Sequence, residues 1–424
     1  MEVHFLNNLR TRVTYGERIS DDCNIDLVAP TASGELEIAV HTADNAVIVP
    51  KFERDGMIHI PPTFHPSIRD AIRFPAGIAD YGEVHDFFLQ VAQLLRTSLK
   101  LPEPTTFIIT AWIFAGWVPE FFAVLPILCV TGSNRAHAMK VFYLLRELCR
   151  RAIIVAELNP HLPTELGPTL LLVNSGLPKR VQGCWSACNH RDVYLPAPGV
   201  GLKRLACVKA IYGGTGDPSP LWGDEVLRVV LLPNHDIPVM SAADLAEIAA
   251  EFQAKFQMFR LRRLQDLAQA GKVSCPAVLA RSAITRDLFA VLGGESRVPQ
   301  LLLPLAENQL EAAADWRAVD PMAVIIEVIW IPAHQQDAIT MLELQKRVNT
   351  LLAVRGETTE LSVREVGWKL RDLGLPRRRT AKGMSLRFSR ELRARIHELA
   401  GQFGLELPKP ESCRQCAPAQ IVEG

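Results

Sequence analysis

An apolar run, Phe122–Val130, leads into Thr131-Gly132-Ser133-Asn134-Arg135-Ala136-His137-Ala138-Met139, and a helical stretch, Ala138–Arg151, follows. Strand, glycine turn and helix is the order in which a P-loop holds nucleotide phosphates: backbone N–H groups wrap them, a Lys reaches the outer ones, and a Ser/Thr hydroxyl binds magnesium. The loop opens correctly at Gly132. His137 then stands where the second glycine belongs, Ala138 where the lysine belongs and Met139 where the hydroxyl belongs. Lys140 comes two positions late, about 200° further round a helix of 3.6 residues per turn. The next apolar strand, GPTLLLVN, should end on a magnesium-ordering acid and a catalytic Glu, and offers Val173 and Asn174. Neither can act as a general base. ATP with magnesium is therefore not expected as a cofactor, and no residue is assigned a catalytic role.

A second chemistry lies near the C-terminus. From Leu361 to His397 the chain carries eleven basic residues against three acidic ones, whereas the whole chain balances at 46 Lys+Arg and 46 Asp+Glu. Lys and Arg contacts to phosphate supply most sequence-independent DNA affinity. Arg364, Trp368 and Arg371 are spaced by four and three, so they share one helical face, and Val366, Leu370 and Leu373 form the opposite, core-facing stripe. Arg377, Arg378, Arg379, Lys382 and Arg387 fall in PRRRTAKGMSLRF, a hairpin pattern with its turn at Lys382-Gly383. These eight residues are the expected contacts to double-stranded DNA. The bland alternative is a solvated basic face or a surface for an acidic protein.

The nine cysteines are odd in number and several sit in apolar runs, the pattern of buried thiols in a reducing cytosol. Cys184, Cys188, His190 and Cys207 lack a second tight pair, and Cys413-Arg-Gln-Cys416 is a lone half-site in a tail. No metal site is expected from either. His137, His190 and His235 have no evident acidic partner, and there is no GxSxG or HExxH motif.

The elements that must position these residues follow from periodicity. Residues 1–75 read as a small β-rich unit. Val84, Phe87, Phe88, Val91, Leu94 and Leu95 form one helical face, and a wholly apolar helix, Thr106–Val118, follows. The very apolar stretch 105–131 is split by Pro119 and Glu120 into Thr105–Val118 and Phe121–Val130, each too short to span a membrane. Apolar strands without alternation (GPTLLLVN, LACVKAIYGG, EVLRVVLLP) interleaved with helices predict a mainly parallel sheet. A long helix runs from Ser241 to about Ala270. Residues 319–405 give a buried helix (MAVIIEVIWIP), two helices opened by Thr340/Glu343 and Ser362/Glu365 capping boxes, and the basic hairpin. That is the order of a winged helix-turn-helix. The tail 406–424 is expected to be disordered.

The order of residues 81–395 resembles the helicase-like P-loop ATPases (AAA+/primase-helicase type) of bacterial and phage replication modules. The segments that carry it are AWIFAGWVPEFFAVLPILCVTG, LLRELCRR, PTLLLVNS, EVLRVVLLP, EFQAKFQMFRLRRL and LSVREVGWKLRDLGLPRRR. The resemblance covers about three quarters of the chain and departs from the family at the catalytic positions. It implies an α/β fold: a P-loop NTPase-like parallel sheet in a domain over 76–318 with lid helices, plus the N-terminal unit and the winged helix. It also implies vestigial nucleotide contacts at Gly132, Thr215 (sensor-like) and Arg228 (finger-like); read alone these are a turn glycine, a loop hydroxyl and a strand-edge arginine. The expected function is a catalytically inactive, DNA-binding, cytoplasmic relative of replication ATPases, able to self-associate, and a regulator or assembly component of a mobile or phage-like element. The alternatives are an active NTPase in which Lys140 or Arg135 replaces the missing lysine, and a protein-interaction scaffold.

Overall fold

Strands that are apolar at every position need cover on both faces, and here they build one parallel sheet. In the computed structural model, which describes residues 10–413 apart from 31–34, 44, 160–161, 174–178, 198–200, 215–225, 232–236, 267–272, 295–296, 356, 358–359, 381–382 and 409–412, the chain divides into two compact units, Met1–Leu310 and Glu311–Gly424.

The first unit opens with seven short strands, β1 (Arg10–Val13), β2 (Glu17–Ser20), β3 (Cys23–Val28), β4 (Glu37–Thr42), β5 (Ala46–Val49), β6 (Phe52–Arg54) and β7 (Met57–Ile60). They form two sheets, β1-β7-β6 and β2-β3-β4-β5. Helices α1 (Pro66–Ala71), α2 (Val84–Leu99) and α3 (Glu103–Trp117) follow, then β8 (Ile127–Thr131), α4 (Arg135–Leu148), β9 (Ile153–Val155), β10 (Leu170–Leu172), α5 (Lys179–Ala187), β11 (Tyr194–Ala197), β12 (Gly201–Arg204), β13 (Lys209–Gly214), β14 (Val226–Val230), α6 (Ala242–Asp266) and α7 (Ala283–Val291). The main sheet runs β14-β8-β13-β10-β9, every pairing parallel.

The apolar stretch 105–131 is core. α3 is buried along almost its whole length, with the Trp112 and Trp117 indoles donating to the Pro126 and Leu148 carbonyls at 3.2 and 2.9 Å. No helix among the described residues is long and apolar enough to cross a membrane. The strand expected over Phe122–Val130 starts only at Ile127. Pro126 has no N–H for the ladder, and the Leu125 N–H is taken by the Asn189 carbonyl at 3.1 Å.

The N-terminal strands pack into the same unit. β3 is buried at every position, because one face meets α6: Val28 and Ala39 pack on Leu261, and the Asn24 amide donates to the Leu261 carbonyl at 3.0 Å. Leu27 joins Phe74 and Ile127 in the cluster beneath the main sheet. β3 also buries a charge. Asp26, 1 % exposed, takes ion pairs from Arg150, Arg151 and Arg260, and Arg260 goes on to pair with Glu120 at 2.7 Å. One carboxylate thereby fastens β3, the chain after α4 and the C-terminal part of α6.

The second unit takes in the end of α8 (Val298–Val319) and holds α9 (Pro321–Gln335), β15 (Ala338–Thr340), α10 (Met341–Val354), α11 (Val363–Asp372), β16 (Arg377–Thr380), β17 (Gly383–Arg387) and α12 (Arg390–Gln402). The strands form an antiparallel sheet in the order β15-β17-β16. Val324, Ile329, Leu344, Val366, Leu386 and Ile396, one or more from each helix and from β17, meet in one core. The Ser362 and Glu365 box is complete, at 3.2 and 2.7 Å. At Thr340 only half of the expected box forms: its hydroxyl caps Glu343 N–H at 3.3 Å, and the Glu343 carboxylate pairs with Arg347 instead. Gly374, at φ +73°, ends α11 in the left-handed conformation that glycine adopts without strain. β15 and α12 lie outside the sequence reading. The expected disordered tail is placed in part: Leu407 and Cys413 pack on the core, and the Pro408 carbonyl accepts from the Trp330 indole at 2.7 Å.

Candidate nucleic-acid interface

α11 is ten residues long and strongly two-faced. Val366 and Leu370 are buried, and Arg364, Trp368 and Arg371 are exposed on the other side. The Arg364 guanidinium lies 4.7 Å from the centre of the Trp368 ring, and Trp368 keeps 44 % of its surface exposed. An aromatic plane beside a fixed guanidinium is suited to a base or a sugar, and the pairing is cation–π. Arg371 is paired with Asp372 at 3.2 Å, both exposed, which weakens its claim as a phosphate contact.

Register decides where the hairpin arginines go. In β16 and β17 the opposed pairs are Arg377↔Leu386, Arg378↔Ser385 and Arg379↔Met384. Opposed residues share a face, and neighbours alternate. Arg377 thus lies on the Leu386 side, and its guanidinium is laid directly across Gly367 of α11. Arg378 and Arg387 lie on the other side. There they line a cavity of about 420 Å³ with Gly374, Pro376, Arg395 and, at the start of α12, Ser389, Glu391 and Leu392. The Arg378 and Arg387 guanidiniums and a helix N-terminus around one hollow favour an anion; Arg395, also in the lining, is paired with Glu398. Glu391 is the one acidic residue in the lining, its carboxyl held below the usual range by the Ser389 hydroxyl. Arg379 is exposed; Lys382 lies outside the described residues.

Not every arginine of the basic segment is available. Arg393 donates to the Ala333 and Gln336 carbonyls at 2.6 and 3.3 Å, and Arg395 is paired with Glu398 at 2.7 Å. The sequence count overstates the free charge, while Arg395 joins the cavity without having been singled out.

Gly367 tests the contact with Arg377. A Cβ there would stand 2.0 Å from Arg377 Nη1, so the guanidinium must swing away. Gly367→Ala is expected to leave stability unchanged or raise it, since Ala is favoured over Gly in a helix by up to about 1 kcal/mol. DNA affinity should fall severalfold because Arg377 is displaced. Thermal melting and duplex binding on the same samples check this; a lower melting temperature would contradict it.

The P-loop-like region is built differently from what the sequence suggests. α4 starts at Arg135, three residues earlier than expected, because the Asn134 side chain caps it by accepting from the His137 N–H at 3.1 Å. Only Gly132, Ser133 and Asn134 remain between strand and helix, too few to encircle a phosphate. Gly132 (φ +145°) is held by packing: a Cβ would stand 2.6 Å from the Leu231 carbonyl, and the Tyr212 hydroxyl donates to its carbonyl at 2.8 Å. Lys140 donates to the Ile237 carbonyl at 2.9 Å, and Arg135 is exposed on the first turn of α4. Arg228 stands beside Cys129 in the ladder, three residues and roughly 10 Å before Gly132, which follows the end of β8. Its backbone N–H and C=O are both bound by the Asn308 amide of α8, at 3.0 and 2.9 Å. Gly132 and Arg228 are therefore not brought together. Thr215 and Asn174 lie outside the described residues.

A second cavity, about 230 Å³, sits beside the Asp26 network and is lined in part by Arg150, Arg191, Arg204, Glu120 and Glu165; two of those arginines are bonded to Asp26 and to the Glu120 carbonyl. Among the other thiols, Cys188 is pushed up to about 11 by burial and neighbouring Cys184, and the Lys209 ammonium, bound to the Cys207 carbonyl at 2.9 Å, lies near it.

No protein-family model matches the chain, and no curated protein matches it. Two solved structures align over most of its length. The A form apo structure of the NrS-1 C-terminal region is 10 % identical with a TM-score of 0.37, covering 85 % of this chain and 95 % of that one. The A form apo structure of the same region numbered 305–718 is 10 % identical with a TM-score of 0.35, covering 86 % and 96 %. Likeness at this level bears on neither mechanism nor partner.

Proposed function

We propose that the chain is a nucleic-acid-binding protein that grips double-stranded DNA through its C-terminal unit, with a P-loop-like first unit that does not turn over nucleotide. The observation that carries the reading is the gathering of Arg364 and Trp368 on the outer face of α11 with Arg377 against the same helix and Arg378 and Arg387 at one hollow. We read α9 to α11 with the β16–β17 hairpin as a winged helix, α11 entering the major groove and the hairpin lying beside the backbone. Arg377, Arg378, Arg379, Lys382 and Arg387 then meet phosphates, and Arg364, Trp368 and Arg371 face the groove.

The first unit serves on this reading as a scaffold or self-association surface. Its support is the short Gly132–Asn134 connection and the engagement of Lys140 by a backbone carbonyl, which leave neither loop nor lysine for a γ-phosphate. The role is that of a regulator or assembly component of a replication module in a mobile or phage-like element, working in the cytoplasm. The test is the affinity of the full chain for a labelled duplex with and without Arg377→Ala, Arg378→Ala and Arg379→Ala together. Equal affinities would overturn it.

A further inference from the structure

His334 near the end of α9, His397 on α12 and Cys413 beyond α12 bring three metal-ligating atoms, two imidazole nitrogens and a sulfur, to one point. His334 Nε2 and His397 Nε2 are 3.1 Å apart, and Cys413 Sγ is 3.5 Å from His397 Nε2. All three ligand atoms lie within 4.8 Å of one another, and each residue is partly buried. Zinc bonds of about 2.0–2.1 Å to nitrogen and about 2.3 Å to sulfur, at tetrahedral angles, put two nitrogens about 3.3 Å apart and a nitrogen and a sulfur about 3.6 Å apart. The two separations from His397 Nε2 are within about 0.2 Å of those edges, and His334 Nε2 and Cys413 Sγ lie within 4.8 Å of each other.

The surroundings fix the ligand form. The Trp330 carbonyl lies 2.7 Å from His334 Nδ1, so the ring proton sits on Nδ1 and the Nε2 lone pair faces the cluster, as an outer carbonyl does for a metal-bound histidine. The Trp330 ring lies 4.8 and 4.6 Å from the two imidazole centres and walls the cluster. Its indole N–H holds the Pro408 carbonyl, five residues before Cys413. One proton between the imidazoles joins one pair of atoms; a cation joins all three. The sequence adds a second thiol three residues after Cys413, at Cys416, the spacing of zinc-binding pairs; Cys416 lies outside the described residues.

We propose that His334, His397 and Cys413 supply three of the four ligands of a zinc ion that staples the chain beyond α12 to α9 and α12. Two imidazoles with thiolate in a tetrahedral set select zinc among common divalent metals. The proposal is independent of DNA binding, because the three residues are not among the groups assigned to phosphate.

The test is the metal content of full-length protein purified from zinc-supplemented culture, measured by elemental mass spectrometry. About one zinc per chain is expected, falling at least tenfold in Cys413→Ser and in His397→Ala and unchanged in Cys188→Ser. Zinc-free wild type, or full zinc in Cys413→Ser, overturns the proposal. Should the variants fail to fold, wild type reloaded with cobalt decides: a thiolate-to-metal charge-transfer band with tetrahedral ligand-field absorption supports the site, and a spectrum without the thiolate band overturns it.

Discussion

Replacing Asp26 by Asn is expected to destabilise the N-terminal unit by about 3–5 kcal/mol, the cost of breaking a buried ion pair from one side. The shape is conserved, so packing is not the cause. Arg150, Arg151 and Arg260 are all but inaccessible, and with Asp26 neutral only Glu120 remains to compensate them. Burial works to raise the Asp26 pKa, and the three guanidiniums outweigh it and hold the carboxyl far below the usual range. Glu120 is likewise raised by burial but brought down to about 2, chiefly by Arg260. Both folded values are depressed, so the stabilisation is complete above the unfolded values of about 4. It is lost as pH falls toward 2 and below. Wild type should weaken steeply below about pH 4, and Asp26→Asn should weaken less steeply. Denaturant midpoints at neutral and acid pH check both points; a midpoint for Asp26→Asn within error of wild type at pH 7 contradicts the network's role.

Alanine at Arg377, Arg378 and Arg379 together is expected to lower duplex affinity roughly 100-fold at 50 mM salt, since each phosphate contact removed also removes a released counterion. The loss should be uniform across duplex sequences, because phosphate contacts position the protein without reading bases. Stability should change little, as Arg378 and Arg379 are exposed and Arg377, half-buried, gives up only its contact over Gly367. The salt slope should shallow by about 3, one unit per lost contact. Alanine at Trp368 has a different signature, altering affinity unevenly among sequences while keeping the salt slope. Comparing the variants by anisotropy over several duplexes separates the two roles.

The parallel sheet was legible because apolar runs without alternation have few other uses, and α11 because its capping box and its two faces lie within ten residues. The beginnings of β8 and α4 were misplaced for local reasons, Pro126 with no ladder donor and Asn134 with a side chain that caps. Other features had no local signature. Asp26 meets Arg150 and Arg260, 124 and 234 residues away, and in sequence it is an ordinary polar residue in a short strand. His334 and His397 are 63 residues apart, so Cys413 and Cys416 read as half of a site. Gly367 carried no signal in the sequence, and its purpose shows only when Arg377 crosses it. Charge was legible in sum but not in use, since Arg393 and Arg395 spend their donors inside the unit.

On the proposed function, the arginines of the C-terminal unit meet DNA phosphates. The most direct measurement is fluorescence anisotropy of a labelled duplex titrated with the full-length chain, without nucleotide, from low to physiological salt. Log affinity should fall linearly with log salt, with a slope near −4 for about four to five phosphate contacts at 0.9 each. Absence of binding at low salt, or an affinity indifferent to salt, would contradict the account.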